Sequence, residues 1–340
     1  MTDGMTEQMM ARPEMGEPKM REQMGGADHD ASTKVITQNE LGGPEVLKVE
    51  YRPKPDPGLS EIRIRVHAAA VNPIDGVNRE TGMFIGAPPF VLGWDISGTV
   101  DAVGLGVTLY QPGDEVFGML PFPHVHGSYA EYAVGPTRAF VRKPSGVDHI
   151  TAAALPMVGL TAWQALVDTA NIGQGSRVMI NGAAGGIGHI AIQIAKARGA
   201  YVVGLASAAN HEFVRSLGAD EVIDYRTVDF AHVVTGLDSV LDVVGEDYPD
   251  RALTVLKPGG VFVTTQPTAL RPETIEAATE QGVRVAGILV EADGCGLAAL
   301  AQLVSMGKVT PTIAATYPLE EAGTAQTTKP AHGKVVLTMD

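Results

Sequence analysis

Residues 176–188 read SRVMINGAAGGIG and continue into HIAIQIAKARGA. A short apolar strand at 178–180 runs into a glycine-rich turn, and the turn opens a helix. In that arrangement the helix N-terminus presents unpaired backbone N–H groups to an anion such as a pyrophosphate. Gly185 lets the backbone approach the phosphates, and Gly188 lets the helix pack close to the strand. With a strand before the turn and a helix after it, the motif reads as a dinucleotide site. Ala183, Gly185, Gly186, Ile187 and Gly188 are its cofactor-binding candidates.

The second strand of such a fold shows which dinucleotide is bound. In NAD-binding folds of this type an acidic residue near its end hydrogen-bonds the adenosine ribose. Here the strand and its turn read YVVGLASAAN (201–210), without Asp or Glu. A carboxylate would repel a 2′-phosphate, whereas small and hydroxyl-bearing residues leave room for one. Ser207 and Asn210 can donate hydrogen bonds, and Arg215, Tyr225 and Arg226 are near enough in sequence to add charge or a hydroxyl. NADPH is therefore expected rather than NADH. The other reading of Arg215 and Arg226 is solvated surface charge.

The elements that must position these residues follow two patterns. From 176 onward strand candidates at 178–180, 201–205, 221–225, 240–244, 261–265 and 283–290 alternate with helical stretches, as in a doubly wound parallel sheet. From Lys34 to about Met157 the chain reads as short strands joined by Gly/Pro turns, a small all-β or mixed barrel. Residues 61–66 alternate, with Ile62, Ile64 and Val66 on one face and Arg63 and Arg65 on the other. Further strands are expected at 96–103, 114–119 and 129–134. The stretch ALPMVGLTAWQALVD has apolar residues at helical spacing and leads toward the second domain. The last segment, from 307, ends in the strand-like KVVLTM and is expected to return to the first domain.

Composition bounds the partners. At 340 residues the chain can bury two cores, and a net charge of −14 disfavours nucleic acid. No apolar run is long enough to span a bilayer, and the first residues lack the apolar core of a signal peptide. The single cysteine, Cys295, excludes an internal disulfide framework and fits a reducing cytoplasm, so a cytoplasmic protein is expected. Residues 1–32 read as a disordered tail of net charge about −4. Met5, Met10, Met15 and Met20 recur every five residues there, which suits neither a helix face nor a strand. A thioether array could hold Cu(I); the tail is read as flexible and given no function.

Nine segments, in unbroken order from about residue 33 to the C-terminus, resemble the zinc-independent medium-chain dehydrogenase/reductase proteins of the quinone oxidoreductase group. They are AAAVNPIDG (68–76), LGWDISGTVDAVG (92–104), GDEVFG (113–118), GSYAEYAV (127–134), LPMVGLTAWQAL (155–166), NGAAGGIG (181–188), LGADEVIDY (217–225), LKPGG (256–260) and GKVVL (333–337). The resemblance implies an α/β fold: a GroES-like, mostly-β catalytic domain in two sequence pieces, 33–156 and 306–340, around a Rossmann domain at 157–305. The active site would lie in the cleft between them. The glycine motif aligns as Ala183-x-Gly185-x-x-Gly188, with alanine at the first position.

Alcohol-oxidising relatives bind catalytic zinc through Cys and His. The corresponding positions look like Asn72-Pro73 and Trp94-Asp95, and with one cysteine a four-cysteine structural site is impossible. His124 and His126 form an HVH pair that lacks a nearby carboxylate or Cys pattern and reads as loop histidines, so no metal is expected. Asp95 reads as a buried carboxylate bonded to backbone. By resemblance Asn72 lines the nicotinamide end and Tyr129 sits near the cofactor; both are the catalytic candidates. Thr161 would touch the nicotinamide or its phosphates, and Val244 and Gly245 would border the nicotinamide ribose. Each has a plainer reading: a turn residue before proline for Asn72, a helix residue bonded to its own backbone for Thr161, a half-buried strand aromatic for Tyr129. A tyrosine that related quinone reductases carry after the NPxD motif is replaced by Val77, so solvent or Tyr129 would have to supply a proton.

Without zinc no Lewis acid polarises a simple carbonyl, and hydride transfer favours acceptors already conjugated. The expected function is NADPH-dependent reduction of a small-molecule quinone or α,β-unsaturated carbonyl. An enoyl-thioester reductase is the enzymatic alternative, and a non-catalytic NADPH-binding redox sensor is the alternative from another class. Phe84, Phe122 and His126 are candidate pocket walls. A homodimer is expected from the resemblance and from the apolar strand at 283–290, placed at the sheet edge.

Overall fold

A computed structural model describes residues 32–124 and 127–339. The methionine repeat and His126 lie outside the described residues. The chain opens with β1 (Ser32–Gln38), β2 (Lys48–Pro53), the long β3 (Glu61–Val71), α1 (Pro73–Thr81) and β4 (Phe90–Val91). β5 (Asp95–Val103), β6 (Glu115–Met119), β7 (Tyr132–Pro136) and β8 (Phe140–Arg142) follow, then α2 (His149–Ala153) and α3 (Pro156–Trp163). Strands and helices then alternate: β9 (Arg177–Asn181), α4 (Gly188–Ala197), β10 (Tyr201–Ala206), α5 (His211–Ser216), β11 (Glu221–Asp224), β12 (Leu237–Asp242), α6 (Tyr248–Leu253), β13 (Leu256–Thr264), α7 (Pro272–Glu280) and β14 (Arg284–Gly287). α8 (Gly294–Ser305) leads to β15 (Ile313–Pro318), α9 (Ala322–Thr327) and β16 (Lys334–Thr338).

Among the described residues the strands form three sheets. The parallel sheet has the order β11-β10-β9-β12-β13-β14, a doubly wound arrangement with β9 beside β12 at its centre. A second sheet runs β15-β16-β3-β5-β6-β8, with β7 also on β3, so the last strands of the chain lie against one of the first. β1, β2 and β4 make a small third sheet.

The alternation at 61–66 explains how β3 sits: Ile62, Ile64 and Val66 are buried in the main core. Further along, Ala68 and Ala70 are buried under α2, which closes over a face that only small side chains leave open, while Ala69 points the other way into the main core. α3 is apolar nearly all round and buried accordingly, wedged between α4, α8 and the β5–β6 pair. Among the described residues no helix is long and apolar enough to cross a membrane.

Three strand expectations shift. The strand expected at 129–134 is divided: Tyr129 and Ala130 pair with β1, and β7 starts only at Tyr132 on β3, which turns a barrel corner. The strand expected at 240–244 stops at Asp242, whose carboxylate captures the next backbone N–H groups. The one expected at 283–290 is the short β14, at the sheet edge.

Candidate active site

β9 ends at Asn181, and Gly182 reverses the chain with φ +73°. α4 begins at Gly188, where an added Cβ would stand 2.2 Å from the Gly182 carbonyl oxygen and 2.7 Å from Ala183 Cα. Only glycine fits that approach. Gly185 is exposed at the lip of the turn. Beneath it lies buried His189, a residue the sequence reading passed over. His189 Nε2 accepts from the Thr312 backbone N–H at 3.1 Å, so Nδ1 carries the hydrogen that reaches the Gly185 carbonyl at 2.9 Å. Burial drives its pKa down to about 4, which keeps the ring neutral. The turn is thus braced by a neutral side chain and by two of its own N–H groups, Ala183 donating to the Leu205 carbonyl (3.1 Å) and Gly185 to the Gly182 carbonyl (3.0 Å).

The crevice opens where the connections diverge, between the ends of β9 and β12. Asp242 closes the far side. Fully buried, it accepts from Asn181 Nδ2 (2.8 Å), the N–H groups of Val244 (3.0 Å) and Gly245 (3.1 Å), and Thr264 Oγ1 (3.1 Å). Those bonds hold Val244 out at the mouth, 40% exposed, with Gly245 behind it at φ +84°. No sequence motif flagged Asp242.

At the other end of the crevice, Ser207 follows β10 and Tyr225 follows β11, and the register Ala206↔Asp224 sets them side by side. Asn210 Nδ2 lies 3.5 Å from Ser207 Oγ and donates to the Ala331 carbonyl at 3.2 Å. Phe213 stacks on His332, centroids 4.1 Å apart, so the segment before β16 reaches this corner. Arg215 is exposed in the last turn of α5, and the Arg226 guanidinium lies 5.7 Å from the Tyr225 ring. Thus Ser207, Asn210 and Tyr225 gather at one corner, and Arg215 stands on the outer face of its helix turn.

Facing the glycine turn is a buried polar network. Asn72 precedes α1; its backbone N–H donates to Asp75 Oδ2 (2.8 Å) and its Nδ2 to Asp95 Oδ2 (2.8 Å). Asp95 Oδ1 accepts from the Met157 N–H at the start of α3 (2.7 Å), the backbone-bonded carboxylate expected for it. Lys334 Nζ donates to Asn72 Oδ1 (2.6 Å) and to the Val71 carbonyl (2.8 Å). The Tyr129 hydroxyl donates to Asp75 Oδ2 (2.7 Å). Every member is buried, Tyr129 completely. Burial lifts Asp75 to about 7 and Asp95 to about 6, lowers Lys334, and holds the Tyr129 phenol well above its ordinary value. Asp75 Oδ1 has no partner among the described residues. Thr161 sits one turn along α3 and donates to the Met157 carbonyl at 2.7 Å.

Asn72 and Tyr129 therefore belong to one network, with Asp75 as the bridge. Lys334 and Asp75 were missed. The signals were present: Lys334 is a lone charge opening an apolar strand, and Asp75 stands at the third position of a helix that opens with proline. Val77 lies in α1, where it supplies no hydroxyl. Phe84 and Phe122 meet at 5.4 Å between centroids, and Phe122 meets Trp94 edge-on at 5.0 Å. Two of the candidate pocket walls, Phe84 and Phe122, are thus in contact.

Residues 58–145 match the alcohol dehydrogenase GroES-like domain, and residues 217–337 match a family described as zinc-binding dehydrogenase. A mouse mitochondrial NAD(P)H oxidoreductase, RTN4IP1, is 36% identical over 305 residues, spanning 77% of this chain and 76% of that protein. The quinone oxidoreductase structure from Coxiella burnetii superposes with a TM-score of 0.82 at 35% identity, covering 91% of this chain and 100% of that one. The CurK enoyl reductase structure gives 0.80 at 27% identity, with 91% and 100% coverage.

Proposed function

This chain belongs to the quinone oxidoreductase-like branch of the medium-chain dehydrogenase/reductase superfamily, and we propose that it is an NADPH-dependent reductase of quinones or α,β-unsaturated carbonyls that works without zinc. The observation that carries this reading is the pairing of a cofactor cradle with a facing wall on which Asn72 and Asp95 stand where alcohol-oxidising relatives carry zinc ligands. The cradle fits a nicotinamide dinucleotide: Gly188 lets α4 start against the Gly182 and Ala183 backbone, Gly185 is exposed where a pyrophosphate would approach, and the strand end at 201–210 offers the Ser207 and Asn210 donors without an acid of its own. On the facing wall Asn72 and Asp95 spend their polar atoms on each other, on Lys334 and on backbone.

When bound, the nicotinamide supplies a hydride. The residues here orient and stabilise. Delivery to the β-carbon of an enone places negative charge on its oxygen, and Nδ2 of Asn72 offers a hydrogen-bond donor at the cleft end of the network. Thr161 and Val244 bound the nicotinamide side, and Phe84 with Phe122 covers the acceptor and excludes water. Because the Tyr129 hydroxyl is turned toward Asp75, the final proton comes from solvent. The likeness to an enoyl reductase favours a second reading, reduction of an enoyl thioester. We also propose a homodimer paired along the β14 edge, where Ile275 and Leu289 are exposed, and a cytoplasmic place of action.

The test is absorbance loss of NADPH, and separately NADH, with 1,4-benzoquinone, 9,10-phenanthrenequinone, a short-chain enone and an enoyl thioester. Turnover with NADPH well above NADH is expected, and the acceptor ranking separates the two enzymatic readings. Saturable NADPH binding without turnover on any acceptor would replace the reductase with a redox sensor.

A further inference from the structure

Lys334 is the first residue of β16, and it enters the site from the far end of the sequence. Its ammonium is buried, 3% exposed, with Asn72 Oδ1 at 2.6 Å and the Val71 carbonyl at 2.8 Å. Its stem runs under the glycine turn: Cδ lies 3.3 Å from the point a Cβ on Gly186 would occupy. The side chain therefore touches the cofactor cradle along its length and the facing wall at its tip.

An asparagine amide can sit either way round unless its neighbours decide. Here they decide. Lys334 can only donate, so it requires Oδ1, and ionised Asp95 can only accept, so it requires Nδ2. A flip would set Nδ2 against the ammonium and Oδ1 against the carboxylate, an arrangement with two repulsions and no bond. Nδ2 carries two hydrogens, and one is used by Asp95.

We propose that Lys334 is a positioning residue for hydride transfer, clamping the Asn72 amide so that it presents a donor, not an acceptor, to the cleft. This rests on the reductase reading, in which Asn72 borders the reacting centre. Without the ammonium the amide is free to turn, and a carbonyl oxygen facing the developing negative charge would oppose the reaction. The charged and titratable groups that face the amide and the ammonium are Asp95 on β5, Asp75 of α1, Tyr129 and His189 of α4.

The experiment is a cycle of Lys334→Met, Asn72→Ala and the double variant, read three ways. In Lys334→Met kcat should fall about 10- to 100-fold, while acceptor KM and the NADPH Kd from cofactor fluorescence stay within about threefold. In the Asn72→Ala background the same change should cost less than about twofold, since Lys334 acts through Asn72. The third readout needs no turnover: in apoprotein labelled with 15N-asparagine, the Asn72 Nδ2H2 group should show the heteronuclear NOE of a rigid group in the wild type and a clearly reduced one in Lys334→Met.

Losses that multiply in the double variant, or a loss confined to NADPH affinity, would overturn the proposal, as would an Asn72 amide equally rigid without Lys334. Should Lys334→Met not fold, Lys334→Gln keeps a donor in the same channel; retained kcat is expected, and a loss as large as that of Asn72→Ala would overturn the clamp. Wild-type protein that turns over no acceptor would instead refute the reductase reading, leaving the amide readout to decide the clamp.

Discussion

The two walls of the cleft are built in opposite ways. The glycine turn is local and almost free of side-chain charge: eight consecutive residues, 181–188, shape it, and Gly188 is irreplaceable because its neighbour's backbone lies 2.2 Å from any added Cβ. The facing wall is made of charge and polar side chains from distant parts of the chain, Asn72, Asp75, Asp95, Tyr129 and Lys334. A backbone cradle binds an anion through oriented N–H groups, which need no counter-ion and titrate nowhere near neutrality. A buried polar network depends on every member being satisfied. One wall should therefore fail by steric change and the other by removal of a single charge or bond.

The largest effect should come from Asp95→Ala. It removes the acceptor for Asn72 Nδ2 and Met157 N–H and the larger of the two carboxylate charges, Asp95 and Asp75, that act on the buried Lys334 ammonium. Breaking a buried charge pair from one side costs about 3–5 kcal/mol, measurable as a drop in the denaturant midpoint. In the folded fraction the cradle is untouched, so NADPH should still bind; loss of binding would show that the two walls are not separable.

Gly188→Ala is the complementary change. The turn must open to admit the methyl group, at about 1–3 kcal/mol of overpacking, and NADPH affinity should fall by about 10- to 100-fold. Cofactor fluorescence titration measures it. Wild-type affinity in this variant would remove the pyrophosphate from the turn.

Per pH unit, the smallest effect is in pH dependence. Burial raises Asp75 from 3.8 to about 7, so the folded protein holds that proton more tightly than the unfolded chain. The stability this contributes is complete below about pH 4 and is lost as pH rises through about 7, at no more than about 1.4 kcal/mol per pH unit. Asp75→Asn cannot titrate, and its stability should be flatter across that interval, with a residual slope from Asp95. Thermal unfolding at a series of pH values checks it, and parallel curves for the two proteins would place the titration elsewhere.

Much of the cradle was legible. The strand, turn and helix at 176–200 are contiguous, so spacing alone carries their geometry, and the second strand with its turn names Ser207 and Asn210, which meet at one corner. The alternation at 61–66 gave the buried face of β3 for the same reason. Strand ends were less legible where a side chain intervenes: nothing in VLDVVG says that Asp242 will fold back on Val244 and Gly245 and stop β12 there.

What the sequence determined by itself is thus what short-range spacing controls: the two kinds of domain, the glycine turn and the likeness to a family. Tertiary structure decided the facing wall. Lys334 lies 262 positions from Asn72, and only the antiparallel pairing of β16 on β3 brings its ammonium to the Asn72 amide. The likeness could suggest that Tyr129 is near the site; pairing with β1 fixes its backbone, and its buried hydroxyl donates to Asp75 at 2.7 Å. Hydrogen bonds between side chains depend on distances across the fold, and those are set by packing rather than by order along the chain.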